Sequence, residues 1–128
     1  MAIKEDTVRI DVENVAKVQA RLVRLTGVVD AHTYPEIEEF FENTFGDDVY
    51  RLIVDLAAVT YMSSAGIGVF IGALARARQQ GGDLLLVNIS PTVAAALDVL
   101  GLRPMFVTAP DKAAALSFFE RRGAYVKK

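Results

Sequence analysis

The sequence predicts an α/β sandwich: a mixed, mostly parallel sheet of four to five strands, with an N-terminal antiparallel hairpin and about four helices. Three observations carry this. The short apolar runs Leu52–Leu56, interrupted only by Asp55, and Leu84–Val87 lack the polar alternation of a half-wet strand and belong where both faces are covered. After the first run, Ile67, Phe70, Ile71 and Leu74 recur at the spacing of a helix that buries one stripe. Glycines stand where elements should stop, at Gly27, Gly46, Gly81-Gly82, Gly101 and Gly123. Strands alternating with helices in this way need crossover connections, which make the strands parallel.

The first strand is read from Val8, Ile10 and Val12 alternating with Arg9, Asp11 and Glu13, a pattern with one wet face and therefore an edge position. Ala20–Thr26 is the second strand, closing a hairpin with the first and stopping at Gly27, after which Val28, Val29 and Asp30 leave the sheet as a loop. Thr33 followed by Glu36 matches a capping box, with Pro35 tolerated in the first turn, and Tyr34, Ile37, Phe41 and Phe45 form the stripe of a helix ending near Gly46. Its glutamates form a solvated face. The third strand, Tyr50–Leu56, ends the sheet before Val59–Gly72, where a helix starts behind Ser63 and Ser64 and runs to about Gln80. Asp83–Ile89 is a fourth strand, and Ser90-Pro91 caps a short helix whose stripe, Val93, Ala96, Leu97 and Leu100, closes at Gly101. Met105–Thr108 is a last short strand and Asp111–Arg122 an Ala-rich helix.

Composition narrows the function. At 128 residues, 52% of them hydrophobic, the chain suits one domain spanning residues 1–128, without a linker or internal repeat. A formal charge of −2, with Lys and Arg scattered, argues against direct nucleic-acid binding. With no cysteine and His32 alone, neither a disulfide framework nor a zinc site can be built. The N-terminus carries no apolar run, and nothing is long enough to span a bilayer, so a cytoplasmic protein without membrane insertion is expected.

Sites in such a sheet form outside the carboxyl ends of the strands, where Asp30, Asp55, Ser63 and Ser64 could share one end. Four chemistries are open to them. A phosphate loop on Gly66, Gly68 and Gly72 lacks the following Lys and hydroxyl, and these glycines read better as packing residues, with Ala65, Gly68, Gly72 and Ala75 forming a strip that lets another backbone come close. Ser64 as a nucleophile lacks the hydrolase elbow and has one histidine at most for a base. Asp30 and Asp55 are too few for a metal site, and each can equally satisfy backbone groups, at a turn for Asp55 and at the first helix for Asp30. Finally, Ser63 and Ser64 suit N-capping, and Ser64 suits phosphate, since a helix N-terminus favours negative charge. Beside Ser64, Val69 and Ala73 fall outside the apolar stripe, and form either an exposed strip that a partner would read together with the serine or a surface covered by the last helix.

Four segments in order, Leu25–Thr33 (L-T-G-V-V-D-A-H-T), Ile53–Gly68 (I-V-D-L-A-A-V-T-Y-M-S-S-A-G-I-G), Gly81–Pro91 (G-G-D-L-L-L-V-N-I-S-P) and Leu97–Leu102 (L-D-V-L-G-L), make the chain resemble small STAS domains of the anti-sigma factor antagonist type. The resemblance implies a non-enzymatic partner-switching regulator of bacterial transcription that needs no cofactor. The unphosphorylated form binds an anti-sigma factor that is also a serine kinase of the histidine-kinase-like ATPase type, phosphorylation releases it, and a serine phosphatase restores it. Ser64 matches the acceptor, Ala65-Gly66-Ile67-Gly68 match the four positions after the acceptor, and Asp30 matches an acidic residue beside the site. Ser63 departs from the pattern, standing where the family usually has Asp, and is the lesser candidate for the phosphate. The expected partner-binding set is thus Asp30, Ser63, Ser64, Gly66, Val69 and Ala73. A scaffold role in a larger signalling or transport complex, a small-molecule or lipid site near Asp30 and Asp55, and self-association stay open.

Overall fold

A computed structural model describes residues 7–128; Met1–Asp6, on which the expectation about the N-terminus partly rests, lie outside the described residues. The described residues form one sheet in the order β1-β2-β3-β4-β5. Strand β1 (Val8–Val15) is antiparallel to β2 (Ala20–Val29), while β3 (Arg51–Met62), β4 (Asp83–Val87) and β5 (Val107–Ala109) each run parallel to the strand before. Helices α1 (Tyr34–Gly46), α2 (Ser64–Gln79), α3 (Pro91–Val99) and α4 (Lys112–Arg121) follow β2, β3, β4 and β5.

Because strands are added in sequence order, right-handed crossovers put α1, α2 and α3 on the same face. Leu25, Leu52, Val54 and Leu56 meet Ile37, Phe41, Phe70, Leu74, Val93 and Leu97 there. Helix α4 has no further strand to reach and folds onto the other face, where Ala115 and Phe119 cover Leu22, Ile53, Leu85 and Val87. Neighbours such as Ile53 and Val54 thus point to opposite cores, which is why the central strands lack polar alternation. Burying each such side chain contributes about 1.5–3 kcal/mol.

Two strands run further than the sequence suggests. β2 continues through Gly27 to Val29, so Val28 and Val29 stay in the sheet, and β3 continues past Leu56 to Met62. The β2–β3 pairing absorbs two register shifts, one between Arg24 and Thr26 and one between Gly27 and Val28. Each inserts one residue into β3, so its buried positions step from Leu56 to Val59 to Met62. Gly27 sits opposite the second shift with φ +109°, and a Cβ there would fall 2.5 Å from the Thr7 carbonyl oxygen, so only glycine fits.

At the other end of the sheet the C-terminal residues form a strap. The buried Arg51 guanidinium donates to the carbonyls of Val18 and Gly123, both at 2.9 Å, and lies over the rings of Phe119 and Tyr125. Tyr125 stacks on Tyr50 and donates from its hydroxyl to the Gln80 carbonyl at 2.7 Å. Burial, with repulsion from Arg122, lowers the Arg51 pKa.

Candidate functional site

The candidate site lies where β2 and β3 end side by side. Val29 pairs with Met62, so Asp30 and Ser63 are the next residues on adjacent strands, and the Ser63 N–H donates to the Val29 carbonyl at 2.9 Å. The Ile67 N–H then donates to the Ser63 carbonyl at 3.0 Å, opening the first turn of α2. Ser64 is the first residue of that helix and is exposed.

Ser63 occupies the N-cap position but does not cap with its side chain. Its Oγ is buried and has no hydrogen-bond partner among the described residues. The two serines are therefore unlike: one hydroxyl faces inward, and its neighbour sits at the surface on the electropositive end of a helix.

Asp30 is buried and organises the turn into α1. Its Oδ1 accepts from the N–H groups of His32 at 2.9 Å and Thr33 at 3.1 Å, while its own N–H donates to Thr33 Oγ1 at 3.0 Å. Thr33 Oγ1 in turn donates to the Val28 carbonyl at 2.7 Å. The capping box expected from Thr33 and Glu36 does not form, because the Thr33 hydroxyl is engaged by the preceding loop instead.

Gly66 explains how tightly this corner closes. A Cβ at Gly66 would lie 2.3 Å from Val29 Cγ1 and 2.8 Å from the Val29 carbonyl oxygen, so the first turn of α2 rests directly on the end of β2. The expected strip of Ala65, Gly68, Gly72 and Ala75 has another status. All four are exposed, and nothing lies within 4 Å of a Cβ built on Gly68 or Gly72, so no backbone packs on that face.

Two further expectations change. Asp55 does not share the end of the sheet with Asp30: it pairs with Arg24, seven residues of β3 before Met62, roughly 20 Å away along the strand. There its Oδ2 accepts from Arg24 Nε at 3.1 Å and its Oδ1 from the Ala57 N–H at 3.0 Å, so it serves the first bulge. The exposed strip of Val69 and Ala73 is also absent. Ala73 is 5% exposed, and Val69 is half-buried against the core to which Phe41 and Phe45 belong, lining with them the groove between α1 and α2. The outward face beside Ser64 consists of Ala65, Gly68 and Gly72. Among the described residues no group of three or more His, Asp or Glu side chains is placed to hold a metal, and no helix is long and apolar enough to cross a membrane.

A sheet in simple sequential order, an antiparallel first strand and a serine pair at the start of the helix after β3 together define a domain of the STAS type. The STAS domain profile matches residues 9–115, and the chain belongs to the STAS domain family. It is 31% identical over 83 residues to the anti-sigma-B factor antagonist of Staphylococcus epidermidis, covering 65% of this chain and 77% of that protein. Its fold is similar to that of an anti-sigma factor antagonist from Mycobacterium paratuberculosis, with a TM-score of 0.78 at 22% identity over 88% of this chain and 94% of that one. It is also similar to the anti-sigma factor antagonist SpoIIAA in its unphosphorylated form, with a TM-score of 0.71 at 24% identity over 92% of this chain and 100% of that one.

Proposed function

We propose that this protein is a cytoplasmic anti-sigma factor antagonist whose hold on its partner is switched at Ser64. Unphosphorylated, it binds an anti-sigma factor that is also a serine kinase of the histidine-kinase-like ATPase type. The kinase transfers the γ-phosphoryl group of ATP to Ser64 Oγ: the bond from the γ-phosphorus to the bridging oxygen breaks, ADP leaves, and the serine proton passes to a base on the kinase. A serine phosphatase reverses the change.

One observation carries the reading: Ser64 is exposed as the first residue of α2, in a chain of the STAS family. The buried Oγ of Ser63 supports Ser64 over its neighbour as the acceptor. A phosphate there adds about −1.5 to −2 charges at the positive end of a helix, so the modified fold is tolerated while the surface seen by a partner is reversed in sign and rehydrated. The smooth face of Ala65, Gly68 and Gly72 beside Ser64 suits a partner that approaches closely and is pushed off by the phosphate.

The test is incubation with ATP and the anti-sigma factor kinases of the source genome, with modified positions mapped by mass spectrometry. Phosphate at Ser64, its loss in Ser64→Ala and dissociation of the complex on modification are expected. Phosphate elsewhere, or a complex indifferent to modification, refutes the reading.

A further inference from the structure

The second bulge of β3 has its own lock. Pairing runs Gly27 with Val59 and then Val28 with Tyr61, so Thr60 is the inserted residue, and its Oγ1 donates to the Gly27 carbonyl at 3.2 Å. Asp55 holds the first bulge in the same manner, accepting from the Ala57 N–H and from Arg24 across the strand pair. Both inserted residues lie upstream of Ser63, and together they determine which residue of β3 stands beside Val29.

We infer that Thr60 and Asp55 are positioning residues for Ser64: by locking the two bulges they place the serine at the mouth of α2 beside Asp30. The inference rests on the reading of Ser64 as the acceptor. Removing one inserted residue would draw the chain back by one position, about 3.3 Å, and turn its side chains to the opposite face. Phosphoryl transfer needs reacting atoms held within about 3–3.5 Å in line, so a slip of that size takes the hydroxyl out of reach. Bulges are found where a side chain must be re-aimed, and this pair lies between the well-paired centre of β3 and the serine.

Thr60 is exposed, so Thr60→Val removes the hydroxyl without opening the core. Hydrogen exchange followed by NMR is expected to show the Ser63 amide, bonded to Val29, exchanging at least tenfold faster in Thr60→Val, with Leu52–Val54 amides unchanged. Thr60→Ser, which keeps the donor, restores wild-type exchange. Steady-state phosphorylation by the kinase that modifies the wild-type chain is expected to lose at least tenfold in kcat with KM within twofold, again rescued by Thr60→Ser. Asp55→Asn, which retains an acceptor for Ala57 but loses the charge facing Arg24, gives a smaller change in both readouts. Wild-type exchange at Ser63 in Thr60→Val overturns the positioning role. A wild-type chain that takes no phosphate at Ser64 overturns the functional reading instead, and the exchange measurement still decides whether Thr60 holds the register.

Discussion

Gly66 is the residue on which the site's geometry most depends. Its missing Cβ lets the α2 backbone touch Val29, the residue that accepts the Ser63 N–H and precedes Asp30. Because the obstructing atoms include a backbone carbonyl, the contact cannot be relieved by a rotamer change alone. Gly66→Ala is expected to destabilise the protein by about 1–3 kcal/mol, the usual cost of overpacking, read as a lower urea midpoint at unchanged slope. The sequence reading gives the close backbone approach to Gly68 and Gly72 and leaves Gly66 out of that strip, the reverse of what the structure shows. What separates them is the neighbour in space, and no local pattern carries that. Ser63 and Ser64 divide in the same way: both read as capping hydroxyls, and only the packed corner turns one inward and the other out.

At the scale of elements, α2 has slack where the sequence suggested a packed strip. Gly68 and Gly72 carry the entropic cost of glycine in a helix with no contact in return, so Gly68→Ala and Gly72→Ala should each stabilise α2 by up to about 1 kcal/mol, measured as a rise in Tm. Strand β3 shows what periodicity can and cannot reveal. Its centre was legible because Leu52–Leu56 is apolar on both faces, whereas the extension was not, because two bulges change the buried spacing from two to three and break the alternation that marks a strand. Strand β2 reads as shorter than it is for a related reason: Gly27 looks like a stop, yet its positive φ is what allows the strand to continue past the Thr7 carbonyl. A cap was legible where the helix had no competitor: Ser90 accepts from the Val93 N–H, while the Thr33 hydroxyl is taken by Val28 and Asp30. Asp111, read from the sequence as the first residue of its helix, is instead its cap, accepting from the Ala114 N–H.

For the whole molecule, the order of elements and the hairpin followed from turn residues and apolar runs, but the strap did not, because Arg51 and Tyr125 are far apart in the chain and neither belongs to a pattern. Arg51 is a buried cation balanced by two carbonyls and two aromatic faces. A lysine offers one point charge in place of a planar fork that bridges Val18 and Gly123 while lying on the rings. Arg51→Lys should therefore cost about 2 kcal/mol in chemical unfolding and increase proteolysis after Gly123, with Ser64 phosphorylation unaffected.

Arg51 begins β3 and Ser64 lies just past its end, so the strap and the serine stand on the order of 35 Å apart along the longest strand of the sheet. The clamp on the C-terminal residues is therefore remote from the corner that Gly66 shapes around the two serines. Substitutions at Arg51 and Tyr125 can retune how firmly the end of the chain is held while the Ser64 corner keeps its shape, and exposed positions beside Ser64 can change without loosening the strap.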